Sequence, residues 1–163
     1  GSSTDSAYLA ASLGLPYVFA SHFAPKMMGE AISIYRERFQ PSEYLDKPYM
    51  MVCLNVIAAE TDEEARILQT TMHQFFLNVV RGSRNPLQPP VESMDGIWTP
   101  MEEEMARSMS SVTLLGSKET IRQQMTDFQD IYAVDEIMAV SYIYDPEKQI
   151  RSYEIFKEVV EGK

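Results

Sequence analysis

The stretch Tyr49–Ala59, YMMVCLNVIAA, followed at once by Thr61-Asp62-Glu63-Glu64, decides how this chain folds. Its apolar residues run almost without interruption instead of alternating, the pattern of a strand covered on both faces. Thr61 as N-cap and Glu64 three residues on form a capping box, and Ala65, Leu68, Met72, Phe76 and Val79 continue as the apolar stripe of a long helix. A doubly covered strand running straight into an amphipathic helix is the unit of a parallel α/β sheet.

The same alternation extends outward. Upstream, the N-cap types Ser2, Ser3, Thr4 and Asp5 precede Ala7, Leu9, Ala10, Ala11 and Leu13, and Gly14 and Pro16 end a short helix. Tyr17-Val18-Phe19-Ala20 is a second apolar strand. Pro25 opens a helix through Met28, Ala31, Ile32, Tyr35 and Phe39, stopped by Pro41. Downstream, residues 82–100 dissolve into Gly, Ser, Asn and Pro, an irregular excursion within one domain. Thr99-Pro100 restarts a helix, with Met101, Met105 and Met109 at every fourth residue as a stripe for core or interface packing. Gly116-Ser117 opens another helix carrying Ile121, Met125 and Phe128. Ile137–Val140 is the last strand, with Tyr142-Ile143 as its extension. Pro146 begins a final helix whose apolar face runs through Ile150, Tyr153, Phe156 and Val160. The pattern predicts about three parallel strands with surrounding helices. Three strands leave apolar faces and edges in need of partners, so self-association into a homo-oligomer is expected.

Composition narrows the partners. Lys and Arg total 14 against 24 Asp and Glu, a net charge of −10 that repels nucleic-acid backbones and anionic lipid heads. No apolar run reaches the roughly 18–20 residues of a membrane span. One cysteine, Cys53, excludes an intrachain disulfide, and with two His it leaves little for a metal site or a Ser-His-Asp arrangement. The expected compartment is the cytoplasm.

Two segments carry a resemblance. GSSTDSAYLAASLGLPYVFASHFAP (residues 1–25) resembles the region around the fifth barrel helix and sixth strand of luciferase-like flavin monooxygenases. LLGSKETIRQQMTDFQDIYAVDEIMAVSYIYDPEKQIRSYEIF (residues 114–156) resembles that family's C-terminal signature, a Gly-Ser cap and helix, an Asp-Glu strand, then a helix with Arg-Ser-Tyr-Glu. The resemblance implies that residues 1–163 are a single C-terminal fragment of a (β/α)8 TIM barrel, holding roughly strands six to eight. It also favours Gly1-Ser2-Ser3 as native sequence at the end of a fifth strand over a cloning remnant.

The activity it implies is oxygenation of a small organic substrate with O2 and reduced FMN delivered by a separate reductase, the isolated fragment being inactive. A reduced deazaflavin (F420) is the alternative cofactor. A non-catalytic, flavin-binding half-barrel that self-assembles is the alternative from another class, and an α/β interaction module without a ligand is a third.

The candidate site begins at the first helix, where unpaired N–H groups and the dipole favour a phosphate and hydroxyls add donors. Ser2, Ser3 and Ser6 are the candidate residues, and the family's phosphate positions map onto Ser3 and Ser6. Asp5 sits awkwardly beside an anion. Ser21 and His22 follow a strand, so they are expected at the C-terminal mouth, facing the flavin ring or substrate; a loop histidine bonded to its surroundings is the plainer reading. Catalytic residues are not assigned. His73 is read as flanking its helix without chemistry, and Cys53 as a small buried hydrophobe. Trp98 is read as a closing side chain or an anchor, and Glu102-Glu103-Glu104 as a solvated first turn.

Overall fold

The computed structural model describes residues 1–162. Among these, helices and strands alternate as α1 (Thr4–Ser12), β1 (Tyr17–Phe19), α2 (Met28–Arg38, entered through a 3-10 turn at Pro25–Met27), β2 (Met50–Ala58), α3 (Asp62–Val80), α4 (Pro100–Met109), β3 (Thr113–Gly116), α5 (Lys118–Tyr132), β4 (Glu136–Val140) and α6 (Pro146–Val160).

β2 organises the sheet. It pairs in parallel with β1 through Met50–Val52, with β4 through residues 51–55 and with β3 through residues 55–58. Met51 and Val52 pair with both β1 and β4, so those strands flank β2 on opposite edges. Asn55 pairs with both β3 and β4, which places β3 beyond β1 along the same edge. The all-parallel pairing agrees with the sequence reading; β3 is an addition to it. Thr113–Leu115, to which the sequence reading assigned no element, and Gly116, read as a helix start, become a strand because β2 outruns β1 and offers them a free edge. At the other end, Ala20 falls outside β1, and Tyr142-Ile143 do not extend β4.

The two faces of the sheet differ. Side chains alternate along a strand. Tyr17 and Phe19 of β1, Met50, Val52, Leu54, Val56 and Ala58 of β2, and Ile137 and Ala139 of β4 all turn into one core with residues of α1, α2, α5 and α6. On the opposite face Val18 and Met138 are exposed, at 37% and 51%. A second cluster caps the C-terminal end of β2, joining Ile57 and Ala59 to Ala65, Leu68, Met72 and Phe76 of α3, Ala106 of α4, and Ile143. α3 thus stands at the end of the strands, with α4 against it.

Local chemistry sets the boundaries. The Thr61 hydroxyl accepts from Glu64 N–H at 3.1 Å, while the Glu64 carboxylate reaches back to Glu60 N–H instead of completing the box at Thr61. The reciprocal box is complete at Thr99 and Glu102. Asp145 caps α6, accepting from the N–H groups of Glu147 and Lys148. Between α5 and β4 the chain turns through Ala133 in the left-handed region (φ 45°), and the Gln129 amide bonds both N–H and C=O of Val134. Asp135 then fastens β4 to the start of β2, its carboxylate accepting from Met50 N–H at 2.7 Å and its own N–H donating to Met50 O at 2.9 Å.

Two core assignments are corrected. Met101 and Met105 are exposed, at 73% and 49%, because α4 turns Ala106 toward α3 and leaves that stripe outside; Met109 packs partly against the second cluster. In α6 the buried residues are Ser152, Ile155, Phe156 and Val159, while Ile150 and Val160 lie exposed. The helix is rotated from its most apolar face because small Ser152 approaches β2 closely enough to bond its backbone.

Candidate active site

The C-terminal ends of the strands gather the residues singled out by the sequence. Gly1 lies along the outer edge of β1: its backbone nitrogen donates to Val18 O at 2.6 Å, and its carbonyl accepts from Ala20 N–H at 2.8 Å. This brackets Phe19 in the pattern of a parallel ladder. A Cβ at Gly1 would fall 1.9 Å from Ser6 Oγ, so the close approach requires glycine. Ser2 and Ser3 therefore leave the sheet edge at the strand ends and enter α1.

Ser3 is the N-cap of α1, extended at φ −141°, and its hydroxyl makes no capping bond. The unpaired first-turn N–H groups and this hydroxyl form a set of donors at the positive end of a helix. Ser6 is placed differently. Its hydroxyl donates to Ser3 O at 2.7 Å and meets the Tyr17 phenol at 2.9 Å, and the phenol is also 3.2 Å from Ser3 O. Since the Ser6 proton goes to Ser3 O, Tyr17 supplies the proton between the two hydroxyls. Burial pushes the Tyr17 phenol above its usual pKa, so it keeps that proton. Ser6 holds the helix start against β1 while Ser3 stays available.

Ser21 and His22 follow β1, as expected, but have separate tasks. Ser21 is fully buried and its hydroxyl donates to Cys53 O at 2.7 Å, stitching the β1 exit to β2. His22 sets its ring edge-on to Phe23, and its backbone carbonyl accepts from Asn55 Nδ2 at 2.7 Å. His22 Nδ1 and Asn55 Oδ1 are both buried and have no hydrogen-bond partner. Burial lowers the His22 pKa, which keeps the imidazole neutral. A buried polar atom without a partner costs about 1–3 kcal/mol, so two of them on adjoining residues form a polar point that the protein leaves unmatched. Sequence reasoning missed Asn55; its signal was a lone amide inside an apolar run.

Beside Ser2 opens a cavity of about 590 Å3 whose walls include Phe23, Pro25, Met27, Met105 and Met109. Met105 and Met109 thus contribute to a cavity wall, while Met101 stays exposed outside it. Trp98 packs on His73, ring centroids 5.2 Å apart, with the Arg107 guanidinium 5.2 Å from its ring centre. His73 is buried under it, not on a flank, and burial lowers its pKa to about 4. Glu102 completes the α4 cap and takes a two-pronged bond from Arg81, whose proximity brings its pKa to about 2. Among the described residues, no three His, Cys, Asp or Glu side chains cluster as a metal site, and no helix is long and apolar enough to cross a membrane.

A donor-rich helix start and a polar pair at the C-terminal ends of parallel strands have the layout of a βα-type enzyme site. The chain belongs to the luciferase-like monooxygenase family, whose model matches residues 1–135. It is 46% identical over 161 residues to the uncharacterized protein YddN of Bacillus subtilis strain 168, and 42% identical over 161 residues to a luciferase-like monooxygenase of Escherichia coli strain K12. Each alignment covers 99% of this chain and 48% of the relative, so the chain spans about half the length of the curated relatives it matches. Among solved structures it resembles apo-MsnO8, with a TM-score of 0.87 and 31% identity, covering 99% of this chain and 49% of that one. At the level of fold alone it resembles the oxygenating constituent of 3,6-diketocamphane monooxygenase from Pseudomonas putida, in complex with FMN (TM-score 0.61, 16% identity, covering 96% and 45% of the two chains).

Proposed function

We propose that this chain supplies the last βα units, roughly strands six to eight, of a (β/α)8 barrel that oxygenates a small organic substrate with reduced FMN and O2. One observation carries the reading: α1, β1 and β2 bring a free hydroxyl at a helix N-terminus and an unmatched neutral polar pair to the same end of a parallel sheet, the end at which barrel enzymes build their sites. The partial barrel is favoured by the faces of that sheet. One is covered by α1, α2, α5 and α6, whereas Val18 and Met138 on the other are exposed where further barrel strands would enclose them.

The residues fit a flavin phosphate at Ser3. The hydroxyl and the first-turn N–H groups would hold the anion, and Ser2 lines the neighbouring cavity. Ser6 acts one step back, locking the helix start through Ser3 O and Tyr17. Bound reduced flavin would supply the electrons and the site of oxygen activation. The protein's part is to anchor the phosphate, exclude water with the apolar walls of the strand ends, and present neutral His22 toward the ring or substrate.

Equilibrium FMN binding, followed by fluorescence quenching with phosphate-free riboflavin as the control and F420 as a competing ligand, tests this. Ser3→Ala is expected to weaken FMN about tenfold, near 1.4 kcal/mol, and to leave riboflavin unchanged. Equal loss for both flavins, or none for either, removes the phosphate from α1. The same chain without the rest of the barrel is expected to show no turnover, and self-association, read from its mass in solution, is expected through the uncovered face.

A further inference from the structure

Asn55 is fully buried in the middle of β2, between Leu54 and Val56. A carbonyl only accepts, so the bond from Nδ2 to His22 O fixes the orientation of the amide and turns Oδ1 away from that carbonyl. Oδ1 then has no protein partner, and neither does Nδ1 of the residue to which Asn55 is tied. Buried amide oxygens ordinarily find a donor; here the Nδ2 end of the amide serves the fold by bonding His22 O, and the Oδ1 end is left over. The two unmatched atoms lie on residues joined by a hydrogen bond, His22 just past the end of β1 and Asn55 within the adjoining β2. One is a fixed acceptor; the other donates or accepts according to its tautomer.

We propose that Asn55 and His22 are ligand-contacting residues that together bind a neutral N–H or O–H group, which donates to Asn55 Oδ1 while its companion atom bonds His22 Nδ1. The inference rests on the reading that flavin and substrate occupy this end of the sheet, and it adds a second recognition point to the phosphate anchor. Neither residue offers a formal charge to an anion, so the point suits an uncharged amide, ureide or hydroxyl. Two sources carry that chemistry: the ureide edge of the flavin ring and a polar group of the substrate. Placement allows both. Gly1 borders β1 on one side and β2 borders it on the other, so the start of α1 and the plane of Asn55 are two strand spacings apart, roughly 10 Å. An extended ribityl chain bridges such a distance.

The test uses the full-length protein labelled with 15N-histidine. The His22 Nδ1 resonance is followed on addition of FMN and then of hexanamide or 1-hexanol to the FMN-loaded protein, and ligand affinities are compared with those of Asn55→Leu. Movement of Nδ1 with FMN, and about tenfold weaker binding of both FMN and riboflavin to the variant, assigns the pair to the ring. Movement only with the neutral probes, with probe affinity alone reduced in the variant, assigns it to the substrate. The wild-type resonance gives an answer even where Asn55→Leu fails to fold. FMN binding that depends on Ser3 but never moves Nδ1, with no response to either probe, overturns the inference and leaves the flavin reading standing. Failure of the wild-type protein to bind FMN sinks that reading and this inference with it.

Discussion

Within the Arg-Ser-Tyr-Glu motif of α6, the residue with one backbone hydrogen bond is expected to outweigh the residue with three ion pairs. Pairing of β4 with β2 ends at Asn55 and Val140, so Ala58 N–H, further along that edge of β2, has no strand to receive it. Ser152 Oγ accepts it at 2.9 Å, with Ser152 fully buried. Ser152→Ala leaves a buried backbone donor unpaired at a cost of about 1–3 kcal/mol. Taking about 2 kcal/mol, and about 2–4 °C per kcal/mol for a chain of this size, the thermal midpoint falls by about 4–8 °C. Arg151 contacts Glu60, Glu154 and Glu158 on the surface. Water and ions screen those contacts, so Arg151→Ala shifts the midpoint less, and the shift fades near 1 M salt, where the screening length is about 3 Å. Thermal and urea unfolding of both variants measures the contrast. A Ser152→Ala midpoint within about 1 °C of wild type would refute the reasoning that the helix completes the sheet's hydrogen bonding.

Other outcomes follow from single positions. Gly116 sits at φ +143°, and a Cβ there would lie 2.6 Å from an Asp62 carboxylate oxygen and 2.7 Å from Thr120 Cγ2. Gly116→Ala should therefore lower stability by about 1–3 kcal/mol in urea titration; an unchanged midpoint would show that the turn relaxes. His73 titrates at about 4 when folded against 6.5 for the free group. Between those values the unfolded chain binds more protons, so stability present above pH 6.5 is lost as pH falls toward 4, up to roughly 3 kcal/mol. His73→Phe should flatten the slope of stability against pH in that window; an undiminished slope assigns it to other groups. Burial also raises the Cys53 thiol pKa, so labelling by a thiol reagent at neutral pH should be slow when folded and fast in denaturant. Rapid native labelling would mean that the inner face of β2 opens readily.

The order of elements was legible because each carries its own punctuation. Thr61, Thr99-Pro100 and Pro146 start helices where expected, and Gly14 with Pro16 ends α1. What escaped depends on neighbours distant in sequence. Thr113–Gly116 is a strand by virtue of the free edge of β2, and His73 is buried by Trp98 arriving from the irregular segment. Of the site residues, Ser3 and His22 read correctly as lying at the strand ends. The engagement of Ser6 by Tyr17 and of Ser21 by Cys53 required the packing of α1 and β1 against the sheet.

β2 shows why an apolar strand can hide a site. Every residue of β2 pairs on at least one edge and most of its side chains need only bury area, so Met, Val, Leu and Ile serve equally. Past Val140 the edge facing β4 is free, and Ser152 enters there to bond Ala58 N–H; one step earlier, within the paired stretch, the Asn55 amide reaches the loop after β1. At Ala58 every group is matched within the protein, which is a structural solution. At Asn55 one end of the amide is matched and the other is not. Packing does not explain the unmatched end, which makes no bond to its surroundings, and stability does not, because an unmatched oxygen lowers it; only the Nδ2 end serves the fold, through His22 O. A ligand's donor would remove both objections, and so position 55, set in the most apolar stretch of the chain, is where recognition should be probed first.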